Sequence, residues 1–452
     1  MTESTVPTPT TGAVPPPTNR VAQPPRRTPE QSRKVALASF AGSAMEWYDF
    51  FLFTTAAALV FNTQYFSSEN PVTATLASFG TLAVGFAARP VGGLLFGRLG
   101  DRVGRKKVLT TTILLIGAST VLIGLLPNYY SIGLIAPTVL IVLRVIQGLA
   151  LGGEWGGSVI IAAENAPAAK RALYASIPQL GSPVGTILSS GAFFITAAAM
   201  SESNFESWGW RIPFLIALPL LGVAVYARSK LEESPEFEAL KEADALAESP
   251  IRQVFQFYWR QVLVGTSIMM IGTCGFYLVT TFVVSYGKRV LGLSASTLLL
   301  AVVLGAVIEI PILLLGGRWG TKYGSARVIA WSAITTIVLA GPIFWAISTG
   351  HPGWVSLGII LGIAAPTPAY AVVGASLTSL FTPDVRYSGV AISANFSAVL
   401  AGCVPLVATA ILTVTGDTLW PSALMLIVIS SCTLAGALST PRLSVKEDGL
   451  IL

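Results

Sequence analysis

The sequence predicts an all-α membrane protein with twelve transmembrane helices in two six-helix bundles and both termini in the cytoplasm. Three observations predict it. First, the 452 residues are 53% hydrophobic and only 11% charged, against about 25% charged in a soluble domain. Ionised side chains therefore cannot coat an ordinary globular surface. Second, the apolar residues gather into twelve runs, each close to the ~20 residues that a helix needs to cross a bilayer. Third, Lys and Arg fall almost entirely on one side of those runs.

Residues 1–34 are rich in Pro and Thr and read as a disordered cytoplasmic tail. No apolar stretch near the start suggests a secretory signal peptide. Six apolar runs follow, at about 35–61, 74–97, 108–126, 133–160, 172–199 and 210–228, and form an amino-terminal bundle over 35–228. A cytoplasmic linker spans 229–260. Its first half is acidic (Glu232, Glu233, Glu236, Glu238, Glu242, Asp244, Glu248) and reads as a solvated helical loop. The second six runs lie at about 261–286, 295–316, 327–347, 353–380, 388–414 and 419–438. They form a carboxy-terminal bundle over 261–438, and 439–452 is a second cytoplasmic tail.

Positive residues set the orientation. With the amino terminus inside, all but five of the 28 Lys and Arg fall in inward connections or tails. The five are Lys288 and Arg289 in an outward connection, Arg211 at an outer edge, and Arg89 and Arg144 within spans. The net charge of +6 thus reports topology and does not call for a nucleic-acid partner. The three cysteines lie inside apolar runs without a CxxC pair, and His351 is the one histidine. Structural zinc, a disulfide framework and His-dependent hydrolysis are therefore poor readings. No GxxxxGK[ST] loop is present, which argues against hydrolysis-driven pumping by this chain. The protein is expected not to be an enzyme, to use no cofactor, and to reside as a monomer in the lipid bilayer of the cell membrane.

The two halves carry an internal repeat. Residues 97–108 (GRLGDRVGRKKV) and 317–328 (GRWGTKYGSARV) agree at five of twelve positions, in corresponding connections of each half. The first copy, with Gly97, Asp101, Arg102, Gly104, Arg105 and Lys106, resembles the signature loop of the major facilitator superfamily. Further motifs resemble the metabolite:H⁺ symporter family within it. They are Glu46-Trp-Tyr-Asp49-Phe, Phe86-Ala-Ala-Arg89-Pro, the run from Arg144 through Gln147 to Glu154-Trp-Gly-Gly, Trp208-Gly-Trp-Arg211-Ile-Pro-Phe and Arg386-Tyr-Ser-Gly. The resemblance covers about residues 35–440 and is nearest to shikimate-type members, as in Ala58-Leu-Val-Phe-Asn. It implies the superfamily fold and transport by alternating access. In the second loop, Thr321 and Ser325 stand where family members often keep Asp and Arg, so a symmetric charge lock is not expected there. The long carboxy-terminal coiled coil of osmosensory members is not expected either.

A charge at mid-membrane costs roughly 2.5–3.5 kcal/mol on the translocon scale, which makes such residues functional candidates. Those in the spans are Glu46, Asp49, Arg89, Arg144, Glu154 and Glu309. Glu46 and Asp49 share one face of the first span, near mid-depth, within reach of Arg89 on the second. A carboxyl that gains and loses an arginine partner as the halves rock binds and releases a proton in step. Burial favours its neutral form and a guanidinium its charged form. Asp49 or Glu46 is the expected proton carrier, and Arg144 is a further candidate for coupling. The alternative is a structural ion pair that sets helix register. Arg89, Arg144 and Arg211 suit an anionic small-molecule substrate, because guanidinium engages carboxylates in a bidentate manner. The resemblance implies that the span-two and span-six arginines line the substrate route; Arg211 could instead anchor the outer interface. Arg144 with Gln147 matches a motif associated with coupling. Glu154 is expected at the inner gate with the signature loop. Tyr48, Gln179, Tyr277, Glu309 and Asn395 could shape a pocket or simply join helices. Together these features predict a proton-coupled symporter importing a shikimate-like acid or a di- or ketocarboxylate. A proton symporter for osmolytes such as proline and betaine, and a proton-linked exporter, are the alternatives.

Overall fold

Residues 29–66, 70–103, 105–152, 171–229, 250–382 and 385–445 are described by the computed structural model. Among them run twelve long helices: α1 (Pro29–Leu59), α2 (Pro71–Val103), α3 (Arg105–Leu125), α4 (Ile135–Leu151), α5 (Arg171–Gln179 continuing as Gly181–Ala199) and α6 (Arg211–Ser229). The second half holds α7 (Trp259–Arg289), α8 (Ala295–Tyr323), α9 (Ser325–Ser348), α10 (Pro352–Ser379), α11 (Arg386–Val414) and α12 (Trp420–Leu443). Eight of these are long and apolar enough to cross a membrane, and Thr110–Leu125, Ile135–Leu151 and Arg211–Gly222 are shorter apolar stretches.

Several helices outrun the apolar stretches that announce them. α2 continues to Val103, α8 to Tyr323 and α12 to Leu443. Hydropathy marks the part of a helix that meets lipid. The backbone ladder continues into the cytoplasmic charges because nothing there interrupts it. α1 starts at Pro29, ahead of its apolar run; proline's missing N–H falls among those that a first turn leaves unbonded. Two outer connections end in a side-chain cap. Ser294 accepts from the Thr297 amide at 3.2 Å to open α8. The sole histidine, His351, accepts from the Gly353 amide at 3.3 Å, so its imidazole serves as a helix cap at the start of α10. On the inner side, α8 meets α9 through Gly324 alone, at φ +91°, which L side chains rarely adopt.

Packing repeats with a period of six helices. In the first half α1 lies against α5, α2 against α4 and α3 against α6. In the second, α7 lies against α11, α8 against α10 and α9 against α12. The two halves join along α2–α11 and α5–α8, which are themselves equivalent under the same shift. The sequence repeat is thus one copy of a structural repeat.

Candidate functional site

Asp49 lies ten residues from the outer end of α1, and Arg144 nine from the outer end of α4. Both are therefore about 14–15 Å deep at 1.5 Å per residue. Asp49 is buried; its carboxylate accepts from the Thr120 hydroxyl of α3 in a short contact and from Gln147 Nε2 at 3.4 Å. The same amide nitrogen donates to Thr120 Oγ1 at 2.8 Å, while Gln147 Oε1 accepts from Arg144 Nη1 at 3.3 Å. Gln147 therefore stands between the anion and the cation, donating to one and accepting from the other. The Arg144 guanidinium stacks over Phe53 with its carbon 4.1 Å from the ring centroid, a favourable setting for a desolvated cation. Glycine makes room for it: a Cβ at Gly85 on α2 would lie 2.5 Å from Arg144 Nε.

One helical turn toward the inside, Arg89 Nη2 and Glu46 Oε1 form an ion pair at 3.9 Å. The Arg89 guanidinium lies over Phe86, 5.8 Å from its centroid, and Arg89 Nε is buried without a hydrogen-bond partner. Phe86 packs on Tyr277 of α7 at 5.6 Å. Tyr277 in turn borders a central cavity between the halves, with Trp47, Phe51, Phe276, Glu309 and Tyr370. Two backbone irregularities shape that wall. α7 carries π turns at Ile271–Gly275 and Leu278–Phe282, on either side of Phe276 and Tyr277. α10 breaks after Ala364 and resumes at Thr367, and Pro366 and Thr367 border the cavity. Such interruptions inside a bilayer persist where they line an internal cavity.

The cavity holds only about 20 Å³, room for about one water, and contacts between the halves lie on both sides of it. Outside, Lys288 of α7 reaches into the first half, bonding Glu206 Oε1 at 2.5 Å and the Leu59 carbonyl at 3.4 Å. Toward the inside, Gln179 Nε2 donates to the Tyr370 carbonyl at 3.1 Å, and Asn395 Nδ2 to the Gly152 carbonyl at 2.8 Å. Gly317 of α8 lies against Ser176 of α5 so closely that a Cβ would collide with it. Each of these contacts crosses between halves. A substrate therefore reaches the centre only when the halves part.

The structure sorts the candidate residues into groups. Asp49, Gln147 and Arg144 meet, joined by Thr120, and Glu46 meets Arg89. Tyr277 and Glu309 border the cavity, from α7 and α8. In this closed conformation four candidates border something else. Gln179 and Asn395 bridge the halves, and the Tyr48 hydroxyl ties α1 to α6 by donating to the Pro213 carbonyl at 2.7 Å. Arg211 lies at the outer end of α6, donating to the Ser207 and Leu126 carbonyls and stacking on Trp210 at 4.5 Å. Glu154 and Gly104 lie outside the described residues, as do the side chains of Asp101, Arg102, Arg105 and Lys106; around Gly97 the backbone is helical. Sequence reasoning missed Thr120 and Trp47. A threonine in an apolar helix carries no distinguishing pattern, and Trp47 was present only as a motif letter. It also missed the Lys288–Glu206 latch, although Lys288 was conspicuous as an outward cation.

Residues 39–368 match the Major Facilitator Superfamily. The chain belongs to that superfamily. It is a multi-pass membrane transporter and not an enzyme. The superfamily chain is 36% identical over 392 residues to the shikimate transporter of Escherichia coli K12, covering 85% of this chain and 88% of that one. To the proline/betaine transporter of the same organism it is 31% identical over 408 residues, 88% of this chain and 81% of that one. Among solved structures, a D-xylose-proton symporter superimposes with a TM-score of 0.69 at 19% identity, covering 94% of this chain and all of that one. That likeness bears on the fold.

Proposed function

We propose that this transporter is a proton-coupled symporter that imports a small organic acid by alternating access. One observation carries the reading: a buried carboxylate at mid-depth, Asp49, held by a hydroxyl and an amide with a guanidinium one side chain further on. An ionised carboxylate in such a place needs either a close cation or a proton. Asp49 and Arg144 stand on different helices, α1 and α4, and Gln147 transmits between them. Both helices belong to the first half, so a shift of α1 against α4 during the transport cycle would alter the proton affinity of Asp49. Arg89 supplies the matching element for the acid, since an incoming carboxylate competes with Glu46 for its fork and meets its unbonded Nε. The relative named for shikimate supports an acid as cargo; the one named for proline and betaine keeps the osmolyte reading as the rival.

Uptake of labelled shikimate, 2-oxoglutarate and proline into proteoliposomes with an inward proton gradient tests it. Gradient-stimulated accumulation of an acid supports the proposal, and its absence for every acid overturns it. Accumulation of proline alone, stimulated by osmolality, establishes the osmolyte rival, and gradient-driven extrusion the exporter.

A further inference from the structure

Three polar atoms around the central cavity are buried without a hydrogen-bond partner: Trp47 Nε1, Tyr277 Oη and Glu309 Oε2. Glu309 is 2% exposed and Tyr277 3%. Two threonine hydroxyls beside them are already engaged. Thr273 donates to the Met269 carbonyl at 3.0 Å and meets Ser397 Oγ at 2.8 Å, and Thr367 donates to the Ile363 carbonyl at 2.7 Å. Among the described residues no Lys or Arg lies within ion-pair distance of Glu309; Lys288 is committed to Glu206 and Glu202. Buried polar atoms are nearly always paired, so three exceptions around one cavity point to a ligand.

Their chemistry is divided by position. Trp47 N–H and Tyr277 O–H are donors on the side that leads through Phe86 to Arg89. Glu309, on α8 of the same half as Tyr277 and across from Trp47 of the first half, supplies carboxyl oxygens as acceptors. Between them stand stacked aromatic faces, Trp47 on Phe51 at 5.1 Å and Phe51 near Phe276 at 5.1 Å. Resting on the symport reading, we propose that Glu309 determines specificity by accepting hydrogen bonds from a hydroxyl or ammonium group of the substrate, whose single carboxylate lies on the Arg89 side. The substrate class is then a small monocarboxylic acid bearing donors, a polyhydroxylated ring acid or an amino or imino acid. Dicarboxylates such as 2-oxoglutarate are disfavoured, because their second carboxylate brings no donor to Glu309.

Counterflow exchange, which needs no gradient, tests this with labelled shikimate, proline and 2-oxoglutarate on wild type, Glu309→Gln and Glu309→Leu in proteoliposomes. Wild type is expected to exchange a donor-bearing monocarboxylate and to exclude 2-oxoglutarate. Losing a hydrogen bond to a charged group is expected to raise the half-saturation concentration for that monocarboxylate tenfold or more in Glu309→Leu. Glu309→Gln, whose amide also donates, is expected to admit 2-oxoglutarate. Preference for 2-oxoglutarate by wild type overturns the proposal, as does an equal change for all three solutes in both variants. It is also overturned if Glu309→Gln keeps every counterflow affinity and loses only gradient-driven accumulation, which would make Glu309 a proton carrier. A Glu309-dependent preference without any gradient-driven uptake supports it and removes only the proton coupling.

Discussion

Asp49→Asn separates transport from coupling. The substitution is nearly isosteric and keeps an oxygen for the Thr120 hydroxyl, while the new amide nitrogen faces Gln147 Nε2, which lies 3.4 and 3.5 Å from the two Asp49 oxygens. A donor–donor contact of that kind costs on the order of 1 kcal/mol, and rotation of the Gln147 amide relieves part of it. The variant should therefore fold and exchange substrate, with counterflow within a few-fold of wild type. Coupling is another matter. With the membrane potential clamped at zero, one pH unit across the membrane is worth about 1.4 kcal/mol per proton, a tenfold concentration ratio. Glu309 is assigned to the substrate, which leaves Asp49 as the single carrier and a limit of about tenfold for wild type. In Asp49→Asn the ratio should fall to about one. The assay is steady-state accumulation of the labelled acid in proteoliposomes with valinomycin and potassium on both sides. A variant that still accumulates tenfold refutes the role of Asp49. A wild-type ratio near a hundredfold refutes the single carrier and returns Glu46 or Glu309 to proton duty.

Other substitutions probe the surroundings. Arg89→Lys keeps the charge but loses the planar fork, and the half-saturation concentration for the acid should rise about tenfold; an unchanged value makes Arg89 purely positional. Lys288→Met removes the outer latch, a partly buried charged contact worth ~1 kcal/mol. Thr280 stands on α7 between the central cavity and Lys288 and borders a second small cavity with Thr54 and Val284. A cysteine placed there should then react about fivefold faster with an impermeant thiol reagent from outside, and an unchanged rate shows that the latch does not hold the outer gate. Gly85→Ala places a methyl 2.5 Å from Arg144 Nε, and overpacking of this kind costs about 1–3 kcal/mol. It should lower the melting temperature and uncouple transport as Asp49→Asn does, whereas normal coupling would show that Arg144 need not stay over Phe53.

Most of the fold was legible because hydropathy and the Lys and Arg distribution report directly on lipid and water. The repeat around Gly97 and Gly317 was legible because both copies keep glycines and basic residues at the same positions of corresponding connections. What escaped was internal to helices. The π turns flanking Phe276 and Tyr277 look like any apolar run, since helical periodicity is blind to one extra residue in a turn. The break at Pro366 was hidden in a span with several prolines. In the site, rare buried charges could be picked out singly, and Asp49, Arg89, Arg144 and Glu309 were. Their partners were harder to read. Thr120 and Trp47 are ordinary membrane residues until the fold sets them beside Asp49 and the cavity. Polar residues such as Gln179 and Asn395 look alike on paper whether they face a substrate or the opposite half, and here they bond backbone carbonyls across the seam.

The central claim is that acid and proton cross together, and the most direct measurement records the proton. Purified protein in vesicles containing a pH-sensitive dye, with no imposed gradient and the potential clamped, is given the acid outside. Substrate should acidify the lumen at a rate proportional to its own uptake, with neither signal in protein-free vesicles. Uptake of the acid through the protein without acidification would contradict the account.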